Sequence, residues 1–187
     1  MTSSRDVDIQ VSHEFATSAE ELYTAFTAPL ILTRWFGPLG WSVQPDSVVV
    51  EPRPYGRYRL TLVSHDDPDL THTVRARVLE LIPGRRVAIE ERTAMTQMHL
   101  HVDITPTGED TCRVDLIQGP YAGDCEAMAA IGWESAFTKL DVMFRSGSPS
   151  TTIAGPPQPV RNRLSEDPIP PRRETTLSAN RATTIQR

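Results

Sequence analysis

Residues 122–144, AGDCEAMAAIGWESAFTKLDVMF, decide the fold. They contain no proline, and Cys125, Met128, Ala129, Gly132, Trp133, Ala136, Leu140, Met143 and Phe144 recur at helical spacing. The stretch predicts one helix of about six turns, roughly 33 Å long. An apolar stripe of that length needs a surface to lie on.

The chain before it supplies that surface. From Trp41 to Gln118 the pattern is strand after strand, with predicted segments 46–51, 56–63, 71–82, 86–92, 95–105 and 111–117. Pro54-Tyr55-Gly56, His65-Asp66-Asp67-Pro68, Pro83-Gly84 and Pro106-Thr107-Gly108 mark the turns. Connections this short make neighbouring strands antiparallel, because a parallel pair needs a crossover of about a dozen residues. Alternation then sorts the side chains. Tyr58, Leu60, Leu62, Val74, Ala76, Val78, Val87, Ile89, Met98, Leu100, Val102, Ile104, Cys112, Val114 and Leu116 fall on one face. Arg57, Arg59, Arg75, Arg77, Glu90, Arg92, Gln97, His99, His101, Asp103, Arg113 and Asp115 fall on the other. Such a sheet is apolar on one side and wet on the other, and the long helix covers its apolar side.

The amino-terminal part adds a strand in DVDIQVSHEF, where Ile9, Val11, His13 and Phe15 alternate with polar residues. Ser18-Ala19-Glu20-Glu21 is a capping box that opens a short helix carrying Leu22, Tyr23, Ala25 and Phe26. Pro29 suits the first turn of a second short helix, which carries Leu30, Leu32, Trp35 and Phe36 and stops at Gly37-Pro38. The fold class is therefore α+β: a curved antiparallel sheet of about seven strands, two short helices, and a long helix closing an apolar cavity.

Charge is divided unevenly. Residues 1–144 carry 12 Lys and Arg against 21 Asp and Glu, a net −9, which argues against nucleic acid as a partner. No run approaches the ~18 apolar residues of a membrane span, and the start, MTSSRDVDIQ, does not read as a signal peptide. The expected location is the cytoplasm. Cys112 and Cys125 show no metal or redox spacing and are expected to be buried apolar residues. Residues 1–145 are expected to form one domain, as a monomer or homodimer. The remainder, 146–187, holds 7 of the 16 prolines and no aromatic residue, and it is expected to be disordered because it cannot offset the entropy of ordering.

Four stretches carry a resemblance. Trp35-Phe36-Gly37-Pro38 closes the second helix, and Val50-Glu51-Pro52-Arg53-Pro54-Tyr55-Gly56-Arg57-Tyr58 runs a strand into a glycine turn. Val78-Leu79-Glu80-Leu81-Ile82-Pro83-Gly84-Arg85-Arg86-Val87 follows, and Gly132-Trp133 sits midway along the closing helix. Over residues 8–144 the chain resembles the Aha1-type branch of the START-like helix-grip superfamily. The resemblance implies a cavity for small hydrophobic or aromatic molecules and, in some relatives, cyclisation or dehydration of polyketides. It implies no universal catalytic set and no cofactor. Where the family usually has a Gly-Gly pair, this chain has Tyr55-Gly56, which puts a phenol at the pocket mouth or on the surface.

The site is argued from residues, since a fold hosts many functions. Glu91 is the odd member of the apolar parity and is the candidate catalytic residue, as general acid or base, or else orients a polar group of a ligand. A strand that ended by Glu91 would instead leave it in water. Trp41, Tyr58, Met98, Leu100 and Met128 complete the candidate ligand-binding set: large, flat or adaptable apolar groups near the expected cavity. Trp35 and Trp133 read as core. His99 and His101 share a strand face, but it is the wet one, and no third ligand is forced nearby, so no metal site is expected. There is no nucleophile motif and no phosphate loop. Three functions follow: binding of a small hydrophobic or aromatic ligand; a cyclase or dehydratase using Glu91 in the same pocket; and, ranked last, an Hsp90-type co-chaperone acting by surface contact.

Overall fold

A computed structural model describes residues 6–92, 97–122 and 125–147. The disorder expected of the tail falls, from residue 148 onward, outside the described residues. The sheet is built from β1 (Asp6–Phe15), β2 (Trp41–Val43), β3 (Val49–Val50), β4 (Arg57–Ser64), β5 (Thr71–Ile82), β6 (Arg86–Arg92), β7 (Gln97–Pro106) and β8 (Cys112–Ala122). Seven of these run in the order β1-β8-β7-β6-β5-β4-β2, all antiparallel, and the two-residue β3 pairs with β4 beside that path. Helices α1 (Ala19–Thr27), α2 (Pro29–Trp35) and α3 (Cys125–Arg145) complete the helix-grip arrangement.

The alternation along the strands sets which face is buried. Tyr58, Leu60, Val78, Val87, Leu100, Val102, Ile104, Cys112, Val114 and Leu116 are all buried, whereas Arg57, Arg59, Arg75, Arg77 and Arg113 are exposed. Each fully buried aliphatic side chain contributes roughly 1.5–3 kcal/mol, so the one-sided pattern holds the register against a one-residue slip. Helix α1 starts with the capping box as read from sequence: the Ser18 hydroxyl accepts from the Glu21 N–H at 3.2 Å, and the Glu21 carboxylate accepts from the Ser18 N–H at 3.3 Å. Pro29 occupies the first turn of α2, and the Trp35 indole donates to the Ala25 carbonyl at 3.0 Å, locking the two short helices together.

Helix α3 lies on β1 through Phe15, Phe137 and Phe144, whose rings meet edge to face. His13, on the apolar parity of β1, makes a 2.9 Å contact through Nε2 to Asp141 Oδ2 and so ties strand to helix. The buried residues of α3 are Trp133, Ala136, Phe137, Leu140 and Met143, none of them in its first two turns.

Three expectations are corrected. The predicted strand 46–51 is interrupted: Pro45–Ser47 form a turn of 3-10 helix, and only Val49–Val50 pair with β4. Pro45 has no N–H to give a ladder, and Ser47 Oγ takes the N–H of Thr61 at 2.8 Å in place of a backbone acceptor. Trp41, ahead of the first strand segment predicted after the second helix, opens a further short strand, β2, opposite Ser64. Cys125, expected buried, is exposed, because it lies in the first turn of α3, whose buried residues begin at Trp133; Cys112 is buried as expected.

Candidate functional site

Two adjoining lobes share Phe36, His72, Val74, Gln118 and Tyr121, and only the smaller is lined by α3. The larger, about 500 Å³, lies over β5 to β8 and is lined also by Ile89, Glu91, Met98 and Leu100. The smaller, about 260 Å³, lies under the helix against Leu62, Met128, Gly132, Trp133 and Ala136. Small-molecule sites are commonly of this size and of this mostly apolar character.

A bulge creates the polar part of the lining. Val7 pairs with Tyr121 and Ile9 with Gln118, so one residue of β1 faces two of β8, at Gly119 and Pro120. Three residues apart on a regular strand, Gln118 and Tyr121 would point to opposite faces; the extra residue brings both to the cavity. Gly119 is required there, because a Cβ would stand 2.9 Å from the Asp8 Cα and closer still to its carboxylate.

These residues form a linked group. The Tyr121 hydroxyl donates to Gln118 Oε1 at 2.7 Å, and the Trp133 indole N–H donates to the same oxygen at 2.6 Å. An indole N–H can only donate, which fixes the amide orientation and turns its NH2 away from both groups, in a side chain that lines both lobes. Burial, with the nearby Glu91 carboxylate adding to it, pushes the Tyr121 phenol up to about 12. The phenol therefore stays protonated at neutral pH and keeps its donor role.

Glu91 is half-buried in β6, opposite Met98, and lines the larger lobe. Its Oε1 accepts the N–H of Arg75 at 2.8 Å. The strand continues to Arg92, so Glu91 does not lie beyond its end. Met98 and Leu100 line the same lobe, and Met128 sits on the rim of the smaller one, 78% exposed. Trp41 lies outside both lobes, in a shallow depression with Pro38, Leu62 and Leu70. Tyr58 lines no part of the cavity: it is 1% exposed, and its hydroxyl donates to the Phe26 carbonyl at 2.9 Å, making it a strut between β4 and α1. Parity places a residue on a face but not at a depth, which is why Tyr58 was grouped with the cavity. Tyr55 is on the surface, 70% exposed. Gln118, Tyr121, His72 and Phe36 were missed; the Gly119-Pro120 pair inside a strand was the available signal for the first two.

The rim is held from α3. Lys139 Nζ donates to the carbonyls of Gly37 and Trp41, both at 3.0 Å, and Ser135 Oγ accepts the N–H of Leu39 at 3.1 Å. Burial lowers the Lys139 amine. His99, which also borders the larger lobe, approaches Asp8 Oδ2 through Nε2 at 3.4 Å, and the rings of His99 and His101 lie 5.3 Å apart. Among the described residues no group of three His, Cys, Asp or Glu could hold a metal ion, and no helix is long and apolar enough to cross a membrane.

A family model described as "Activator of Hsp90 ATPase homolog 1-like protein" matches residues 16–145. Solved structures with the same fold include a protein of Chromobacterium violaceum, 21% identical, covering 73% of this chain and 95% of that one with a TM-score of 0.64. An AHSA1 protein of Silicibacter pomeroyi is 20% identical over 75% of this chain and 99% of that one, also at 0.64. A protein of the dynemicin biosynthetic locus is 14% identical over 76% of this chain and 49% of that one, at 0.58. None of the curated proteins matches the sequence.

Proposed function

The chain belongs to the Activator of Hsp90 ATPase homolog 1-like family, and from that premise we propose that its cavity binds a small hydrophobic or aromatic molecule. The fold is of the kind found in ligand-binding and polyketide cyclase-like domains. The observation that carries the reading is the convergence of Gln118, Tyr121 and Trp133 on one hydrogen-bonded point in a smaller lobe whose other lining residues, His72 apart, are apolar. Apolar walls supply affinity, and a few placed polar groups supply orientation. The Gln118 amide suits a ligand carbonyl, and Glu91 at the other end of the larger lobe suits a hydroxyl or amine donor. Met98 and Met128 provide walls that adapt to ligand shape.

The test is a thermal-shift and intrinsic-fluorescence titration against aromatic, aliphatic and polyketide-like metabolites. A ligand of the proposed kind raises the melting temperature and perturbs the emission of Trp133, which lines the smaller lobe. A panel without a single shift overturns the reading.

A second reading, cyclisation or dehydration of a polyketide-type substrate with Glu91 as acid or base, is favoured by one observation. Glu91 shares its lobe with Tyr121, Gln118 and His72, a titratable group among further polar groups. Glu91→Gln would keep ligand affinity and abolish turnover of an aromatic polyketide precursor followed by mass spectrometry. Equal turnover by the variant removes Glu91 from the chemistry.

A further inference from the structure

The outer face of β4 and β5 carries a charge arrangement of which only Arg75 also borders the larger lobe. Arg57 stands directly opposite Arg77, and Arg59 directly opposite Arg75. Like charges facing each other across a strand pair repel. Arg57 is neutralised by Glu51 at 2.7 Å. Among the described residues, Arg59, Arg75 and Arg77 pair with no carboxylate. Glu90, opposite Arg77 on β6, is already engaged by Arg92 at 3.0 Å and by Gln97.

The turn that joins the same two strands holds the opposite sign. Asp66, Asp67 and Asp69 are all exposed, and among the described residues none of them pairs with a cation. From Arg59 to Asp66 is seven steps along an extended strand, roughly 23 Å at about 3.3 Å per residue. That exceeds twice the screening length of about 8 Å at physiological salt, so the two clusters do not neutralise one another within a single hairpin. Two copies laid antiparallel would bring three unpaired cations to three unpaired anions twice over, by one symmetric operation.

We propose that this face of the β4–β5 hairpin is an interface between two copies of the chain, related by a two-fold axis, with Arg59, Arg75 and Arg77 of each copy set against Asp66, Asp67 and Asp69 of the other. The same operation unites two exposed apolar groups. Tyr55, 70% exposed, lies at the arginine end, where its carbonyl accepts from Arg77 Nη1 at 3.4 Å, and Leu70, 51% exposed, lies at the aspartate end. Tyr55 holds a left-handed conformation, φ 59°, which a bulky side chain rarely adopts, so a tyrosine at this turn has a cost that an apolar contact offsets. Residues 146–187, with six arginines against three acidic residues, have the wrong sign to occupy the arginine face.

The experiment is sedimentation velocity on the full chain in low and high salt, with two charge-reversed variants. Wild type forms a reversible dimer in low salt that dissociates in high salt. R59E/R75E/R77E makes both clusters acidic and D66K/D67K/D69K makes both basic, and each variant is monomeric alone. Mixed in equal amounts they restore a dimer, identified as one copy of each by native mass spectrometry. Circular dichroism in high salt checks that both variants fold, and R59Q/R75Q/R77Q with D66N/D67N/D69N replace them if either does not; those neutral variants must be monomeric. The proposal is overturned by a wild type that stays monomeric in low salt, including one that binds polyglutamate without self-associating. It is also overturned by a dimer that persists in either variant, or by a mixture that stays monomeric.

Discussion

The side-chain oxygen of Gln118 lies 2.6 Å from the indole nitrogen of Trp133, joining β8 to the closing helix across the mouth of the smaller lobe. The same oxygen takes the Tyr121 hydroxyl, so Gln118→Leu leaves two part-buried donors without a partner. The expected cost is about 1–3 kcal/mol of unfolding free energy, read from urea denaturation. Trp133→Phe removes a donor together with its need, and it should cost less than Gln118→Leu.

Tyr58→Phe separates scaffold from site. The hydroxyl braces α1 through the Phe26 carbonyl, and losing it should lower stability by about 1 kcal/mol. Because Tyr58 does not line the cavity, affinity for any ligand found in the panel should be unchanged. A variant with wild-type stability and altered affinity would return Tyr58 to the site.

Gly132 offers a way to close the cavity without harming the fold. A Cβ there meets nothing within 4 Å, and the residue is inside α3, where glycine costs about 1 kcal/mol relative to alanine. Gly132→Ala should therefore be stabilising by about that amount. Gly132→Leu should stay folded, fill part of the smaller lobe and weaken binding.

The two cysteines should behave differently. Cys125 is exposed and should react with a thiol reagent in the native state, whereas Cys112 should react only on unfolding. Burial, with Glu20 and Glu21 contributing, pushes the Cys112 thiol from an ordinary 9.0 up to about 11, while its Sγ donates to the Thr17 carbonyl at 3.2 Å. A raised pKa contributes stability that is complete below the unfolded value and is lost as pH rises through the folded one. Denaturation midpoints should fall between pH 9.0 and about 11, and Cys112→Ala should flatten that part of the profile.

The sheet was legible because its alternation is nearly unbroken: Tyr58 to Leu62 and Leu100 to Ile104 each repeat buried and wet positions without exception except at Thr61. Thr61 is buried with its hydroxyl 3.0 Å from that of Thr73 and its N–H bonded to Ser47 Oγ, tertiary contacts that no local pattern carries. A single long helix lying on a curved sheet was legible, and simple parity puts Glu91, Met98 and Leu100 on the sheet face where they border the larger lobe. The polar centre of the cavity was not legible, because the bulge at Gly119 and Pro120 resets the parity that would have located Tyr121. Cys125 and Met128 belong to the apolar stripe of α3, but periodicity does not show where along its length the helix meets the sheet, and both are exposed.

The most direct test of the account is native mass spectrometry of the full chain as purified, with the denatured spectrum for comparison. The account predicts a small molecule retained at one copy per chain, released on denaturation, and lost or reduced in a Gly132→Leu variant whose circular dichroism shows an intact fold. A native mass equal to that of the polypeptide alone, with no adduct formed by any member of the aromatic, aliphatic and polyketide-like panel, would contradict it.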